Sequence, residues 1–232
     1  MMRDDEKRPG SPFDAVEWPQ KLKARVVTPG AAPRIHGYDV EGDLALHYRF
    51  SDTVLLALTG ELPDEETCRA FEIAMQLLAP TSVAEPPAHC GLLARLCGAR
   101  TSGVLGATAV AAAEQAQFLV EGHADLVEWL ERPEGDAPAR HLASDDAERA
   151  AVSRLKAAIA RTGFACPALG AGSSREAALV ALLHACGLRT AEQKQAAIAI
   201  ARLPCALAEA FAASPAAFKE YPMNLPPFEY EE

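Results

Sequence analysis

A glutamate, three of the histidines and a few arginines are the side chains whose types and settings could do chemistry. Glu176 stands in Ser173-Ser-Arg-Glu176, directly before a leucine-rich run. A carboxylate there can act as a general base, but the same spacing makes a capping box, in which Glu176 only closes a helical turn. His123 follows Gly122 and reads as a surface residue at a helix start; His141 reads as a loop residue near the next helix N-terminus. His184 lies two helical turns beyond Glu176. Arg140, Arg161, Arg175 and Arg202 supply guanidinium groups, which grip a carboxylate or phosphate through paired hydrogen bonds. Taken one by one, each arginine reads as a solvated surface charge. Gly170-Ala-Gly-Ser-Ser174 offers backbone N–H groups at a helix N-terminus, a setting that suits an anion. The sequence has no Ser/His/Asp order, no phosphate loop and no metal motif.

The elements that must position these residues are helices. Half of the 232 residues are hydrophobic, aromatics make up only 6%, and alanine is abundant, which favours packed helices over strands. Residues 1–17 read as a disordered polar tail, and Trp18 to Pro33 as a surface arm with short extended patches. Ser51 is placed to N-cap a short helix that Gly60 ends. Pro63-Asp64 opens a second helix, in which Cys68, Phe71, Met75 and Leu78 keep the helical period. Cys90–Cys97 and Thr101 to about Gln117 are two more, separated by Gly98. The second carries Gly103, Gly106 and a run of alanines, small enough for close helix–helix approach. Asp125–Glu131 is a short helix, and residues 132–140 form a loop and an internal boundary. Ser144-Asp-Asp opens a helix to about Arg161, Ser173 one to near Gly187, and the Thr190 capping box the last, to about Ala213. The tail beyond Ser214 is proline-rich, acidic and read as extended. The fold class is all-α.

Charge and cysteine usage exclude several classes of function. A formal charge of −10 opposes a nucleic-acid surface or an anionic membrane. The apolar run Val104–Ala113 is too short to span a bilayer. Six cysteines without a Cys-x-x-Cys pair argue against zinc or a disulfide scaffold and for buried free thiols in a reducing compartment. The first residues are charged and carry no apolar targeting segment, so the expected location is cytoplasmic.

Two blocks, Arg34-Ile-His-Gly-Tyr-Asp-Val-Glu-Gly-Asp-Leu44 and Phe50-Ser-Asp-Thr-Val-Leu-Leu-Ala-Leu-Thr-Gly-Glu-Leu-Pro63, resemble the N-terminal signature of the citrate synthase and citryl-CoA lyase superfamily. The resemblance extends more weakly over residues 95–113 and 173–187. It implies a citrate synthase-like helical fold, with a large domain from residues 18–117 and 190–232 and a reduced small domain from 118–189. It also implies chemistry beside an acyl-CoA thioester, a carbon–carbon bond to a 2-oxo acid being made or broken. In that chemistry an aspartate removes an α-proton, one histidine stabilises the enol oxygen, a second polarises the oxo-acid carbonyl, and arginines hold the carboxylates.

Residue by residue, the match is partial. Ser174-Arg-Glu-Ala-Ala resembles the base motif and puts Glu176 at the base position. The Gly-Asp-x-His-Gly-Gly-Ala loop has no counterpart; counting from Gly103 places its histidine near Ala116, and His123 comes seven residues later. Gly-His-Pro-x-His corresponds to Asp136-Ala-Pro-Ala-Arg-His141, where His141 matches only the later histidine. The resemblance thus implies Glu176, His123 and His141 as catalytic candidates and Arg140, Arg175 and Arg202 as substrate-binding ones. It implies no tightly bound cofactor, a coenzyme A thioester as substrate if the protein is active, and a homodimer or a homologous citrate synthase-like subunit as partner. Loss of one oxyanion donor costs about two to three orders of magnitude in rate. Loss of both family histidines therefore sets two expectations side by side: an acyltransferase or citryl-CoA lyase relying on Glu176, and a non-catalytic relative that binds ligand or partners an active subunit. A purely structural dimer-forming protein is the third.

Overall fold

The computed structural model describes residues 21–132, 134–167 and 173–215. The tails read for residues 1–17 and beyond 215, and Gly170 to Gly172, lie outside them.

The arm before the first helices pairs with itself. Strands β1 (Val27–Thr28), β2 (Arg34–Ile35) and β3 (Tyr38–Asp39) form an antiparallel sheet in the order β1-β2-β3. Val27 stands opposite Ile35, and Ile35 opposite Tyr38. His36 and Gly37 make the two-residue turn between β2 and β3 with φ of +47° and +90°. Positive φ at both positions matches the twist of the flanking strands, and glycine carries the more extreme value without a Cβ penalty. This small sheet qualifies the all-α expectation; the remaining regular structure among the described residues is helical.

Asp39 then caps a π-helical turn (Val40–Leu44), accepting the Gly42 N–H at 2.7 Å, and α1 (Ala45–His47) follows. Helix α2 (Phe50–Thr59) starts one residue before the expected Ser51 cap. Asp52 Oδ2 accepts the Arg49 N–H at 2.6 Å, while the Ser51 hydroxyl lies inside the first turn and donates to Glu72 Oε1 at 2.6 Å. Gly60 ends the helix in the left-handed region, as expected. Helix α3 (Glu65–Leu78) is capped by Asp64, which accepts the Thr67 N–H at 2.8 Å.

Helix α4 (Pro86–Leu96) begins at the proline pair rather than at Cys90. A proline in the first turn loses nothing, because the N–H it lacks has no partner there, and its φ is already helical. Helix α5 (Thr101–Gly122) runs past Gln117 because nothing between Gln117 and Gly122 breaks it. Then come α6 (Ala124–Glu131), a 3-10 turn (Ala139–His141), α7 (Asp146–Ala160, capped by Asp145 rather than Ser144), α8 (Arg175–Ala185) and α9 (Ala191–Ala212). The Thr190–Gln193 capping box of α9 is present as read from the sequence.

Helices α4, α5 and α9 pack on one another around small residues. A Cβ on Gly91 would fall on Thr108 Oγ1 and lie 3.2 Å from Ala210 Cβ, so glycine sets the distance between three helices. The apolar run at Val104–Ala113 belongs to a helix of 22 residues, and α5 and α9 are each long and apolar enough to cross a membrane by length and composition alone. Here both pack against α4 and each other, and α9 buries Lys194. A continuous core runs from Leu55 and Phe71 through Leu119, Leu155 and Leu183 to Ile198. Helix α8 crosses its middle, buried from Ala177 to His184, and its first turn, with Arg175 and Glu176, emerges from the packed interior.

Gly91→Ala should lower unfolding stability in urea by about 1–3 kcal/mol through overpacking. Because the Thr108 hydroxyl is buried without a hydrogen-bond partner, Thr108→Ala in the same chain should restore most of the loss. Additive losses in the double variant would exclude this contact as the cause.

Candidate functional site

Arg202 is the least solvated of the candidate arginines. Its place on the inner side of α9 leaves the side chain 12% exposed, and its Nε and one terminal nitrogen are buried without a hydrogen-bond acceptor. The nearest carboxylate oxygen, Glu85 Oε2, lies 3.8 Å away, close enough for an ion pair but too far for a hydrogen bond. Glu85 is held in that place by other donors. Its Oε1 accepts the Ser82 N–H and its Oε2 accepts the Gln115 side-chain amide, both at 2.8 Å. Buried guanidinium donors without an acceptor cost free energy until water or a ligand anion meets them.

Arg202 lines a cleft of about 490 Å³ between the end of α3, α7, α8 and α9. Leu119, Leu183 and Ile198 form part of its apolar floor, and Arg175 and Glu176 stand on its wall with Arg202. Arg175 donates to the Leu77 carbonyl at 2.9 Å, satisfying the last turn of α3. The capping-box account of Glu176 is overturned. The cap of α8 is Ser174, whose hydroxyl oxygen accepts the Ala177 N–H at 3.2 Å. That frame is one residue later than the Ser173–Glu176 pair requires. The Glu176 carboxylate accepts no hydrogen bond among the described residues and stands on the cleft wall.

The other three candidates converge elsewhere, on Asp125. Arg140 Nε donates to Asp125 Oδ2 at 2.7 Å and its terminal nitrogen donates to Oδ1. His141 Nε2 lies 2.7 Å from Oδ1. The Arg140 hydrogen bonds, helped by His141, hold the Asp125 carboxyl well below the usual carboxylate range. The His141 ring stacks on His123, with centroids 4.7 Å apart. His123 Nδ1 lies 2.8 Å from the Leu119 carbonyl, to which a ring N–H donates. His123 is therefore 8% exposed rather than a surface residue. Because α5 continues to Gly122, His123 becomes the junction between α5 and α6, and its ring turns back along α5. Neither histidine lines the cleft.

The two groups are joined by backbone. The Ser174 N–H donates to the His141 carbonyl at 2.7 Å, and Leu142 pairs with Ser173. The Asp125 cluster thus tethers the N-terminus of α8, two residues before Glu176. Ala116, where the resemblance places the first family histidine, is fully buried inside unbroken α5.

Sequence reasoning missed Glu85, Asp125 and Lys194. Glu85 looked like part of a loop because it precedes two prolines, yet it is the residue before α4. Lys194 is fully buried, donating from Nζ to the Arg189 carbonyl at 2.8 Å. Its signal was available: it lies three, four and seven residues before the buried Ala197, Ile198 and Ala201. Burial pushes Lys194 down to about 8. Burial, then the charges of Lys194 and Arg189, pushes His184 down to about 4. The His184 ring is correspondingly neutral, with Nε2 accepting from Arg189 at 2.6 Å. Among the described residues, no group of three or more His, Cys, Asp or Glu side chains is arranged to hold a metal ion.

No protein-family model matches the chain, and no curated protein matches it by sequence. Solved structures do match. A citryl-CoA lyase from Hydrogenobacter thermophilus superposes with a TM-score of 0.63 at 19% identity, covering 90% of this chain and 97% of that one. An ATP citrate lyase from Methanosaeta concilii, an aspartate-to-alanine variant in complex with (3S)-citryl-CoA, gives 0.60 at 13% identity. An ATP citrate lyase from Methanothrix soehngenii, in complex with citrate and coenzyme A, gives 0.56 at 12%. This chain is covered completely in both cases and spans 47% of each of those longer proteins. The likeness shows the fold: a citrate synthase-like arrangement of helices, as in citryl-CoA lyase.

Two measurements check the site. Because the folded chain favours neutral His184, its contribution to stability is intact above about pH 6.5 and is lost as the pH falls toward about 4. Asp125, with its lowered value, loses its contribution only below the ordinary carboxylate range. The melting temperature should therefore fall between pH 6.5 and 4, and His184→Gln should flatten that slope; an unchanged slope would remove His184 as its source. Separately, Asp125→Asn should speed hydrogen exchange of the Ser174 amide, read by NMR, while core amides of α8 stay protected.

Proposed function

We propose that the cleft binds a small polycarboxylate of the citrate or 2-oxo acid type, with a coenzyme A thioester as its second ligand. The observation that carries this reading is Arg202, a cleft-lining residue whose largely buried guanidinium keeps donors without an acceptor. A carboxylate is the ligand group whose two oxygens meet such a fork, through charge-assisted hydrogen bonds stronger than a neutral acceptor would make. Arg175 supplies a second positive group on the same wall. The structural neighbours, solved with citryl-CoA or with citrate and coenzyme A, support the ligand class.

The same reading favours binding without ordinary synthase turnover. His123 and His141 are committed to Asp125, to Leu119 and to each other, so Glu176 is a base without an imidazole donor for the enolate. A role as ligand-binding partner of an active citrate synthase-like subunit fits this arrangement. The observation that favours catalysis is Glu176 itself, a carboxylate on the cleft that no capping role explains.

A homodimer belongs to the proposal too. Helix α5 leaves Gly103, Gly106, Val110 and Ala113 exposed at helical spacing, and nothing lies within 4 Å of a Cβ placed on Gly106. Small residues of this kind let a second helix approach closely. Val110 is 64% exposed there, so Val110→Glu should turn a dimer into a monomer in light scattering, and a monomeric parent protein would exclude the pairing.

Calorimetric titration should give saturable citrate binding that Arg202→Met weakens by about ten- to a hundredfold, with the folded state checked by urea unfolding. Acetyl-CoA added with oxaloacetate should release no thiol above background. Sustained release that Glu176→Gln abolishes would instead establish Glu176 as a working base. Citrate affinity indifferent to Arg202→Met would sink the anion site.

A further inference from the structure

The charged cleft does not end at Arg175. A second cavity of about 440 Å³ lies against α3 and α7, and Leu77, Ala151, Arg175 and Leu179 line both. The two cavities therefore adjoin across these four residues, as two halves of one trough. The first half holds Arg202, Glu176 and Glu85. The second is lined by Ile73, Leu155 and Ala158, with Gln76 and Arg154 beside them, and Ala158 on α7 is small where a larger side chain would fill the space.

Arg175 spans the junction, its guanidinium fixed on the Leu77 carbonyl, so the sill between the halves is held by α3 and α8 together. A ligand that extends over the sill adds contact with Ile73, Leu155 and Ala158 to what it meets in the first half. We infer that the trough takes an amphiphilic carboxylate, with its acid end on Arg202 and an alkyl or acyl chain laid along α7 past Ala158. This rests on the carboxylate reading of the cleft and adds the chain as the determinant of specificity. Burying a methylene in such a groove tightens binding by about threefold.

Succinate, butylsuccinate and hexylsuccinate provide a probe series that changes chain length and keeps both carboxylates. Titrated into the full-length protein, their dissociation constants should fall by about two- to fourfold per methylene. Ala158→Leu should erase the gain and leave succinate affinity unchanged, because Ala158 lines the second half alone. If that variant folds poorly, methyl NMR of the unaltered protein replaces it: hexylsuccinate should shift Ile73 and Leu155 resonances and succinate should not. Succinate binding with a constant affinity along the series would overturn the chain site and keep the carboxylate site. A gain that persists in folded Ala158→Leu would also overturn it, since the chain would then lie elsewhere. No binding of any member, nor of citrate, would overturn both.

Discussion

The burial of α8 on every side is the constraint on which the rest of this structure depends. From Ala177 to His184 the helix has no solvent face, and Leu179, Val180, Leu182 and Leu183 pack outward into α3, α7 and α9. Each such side chain contributes on the order of 1.5–3 kcal/mol by leaving water. A helix held that firmly has no freedom to tilt, so whatever extends from its ends is fixed in space. At one end this is Arg175 and Glu176. At the other it is the neutral His184, bonded to Arg189, whose carbonyl takes the buried Lys194 ammonium.

The candidate polar groups divide into those that are partnered and those that are not. Asp125, Arg140, His141 and His123 form a closed set in which each charge or ring has a partner, and the set is spent on holding the 3-10 turn against Ser174. Arg202 is the opposite case, a cation removed from water with donors left open. The six residues singled out from the sequence thus belong to two places with two tasks. One group anchors the N-terminus of α8. The other lines the cleft.

Much of the helical plan was legible because local chemistry sets it. Gly60, Gly98 and Gly187 end helices through positive φ, and Asp64 and Thr190 start them through side-chain acceptors. These effects act within a turn of chain and need no tertiary partner. The misread boundaries had competing local signals. Pro86-Pro87 marks a loop as readily as a first helical turn, and Ser173 and Ser174 offer the same hydroxyl in adjacent frames. The extension of α5 beyond Gln117 had no local marker, since Leu119 and Val120 are kept helical by their burial in the core.

By itself the sequence determined the helical elements, their order and the residue types that could do chemistry. Those follow from periodicity and capping, which are written in neighbouring residues. Only the tertiary structure decided that Arg202 is buried with open donors, that Glu176 is free of the capping box, and that His141 meets Asp125 and His123 meets the Leu119 carbonyl, away from the cleft. Those outcomes depend on distances between groups far apart in the chain, such as Arg202 and Glu85 or Ser174 and His141, and on the loss of solvent around them. Neither quantity exists until the helices have packed.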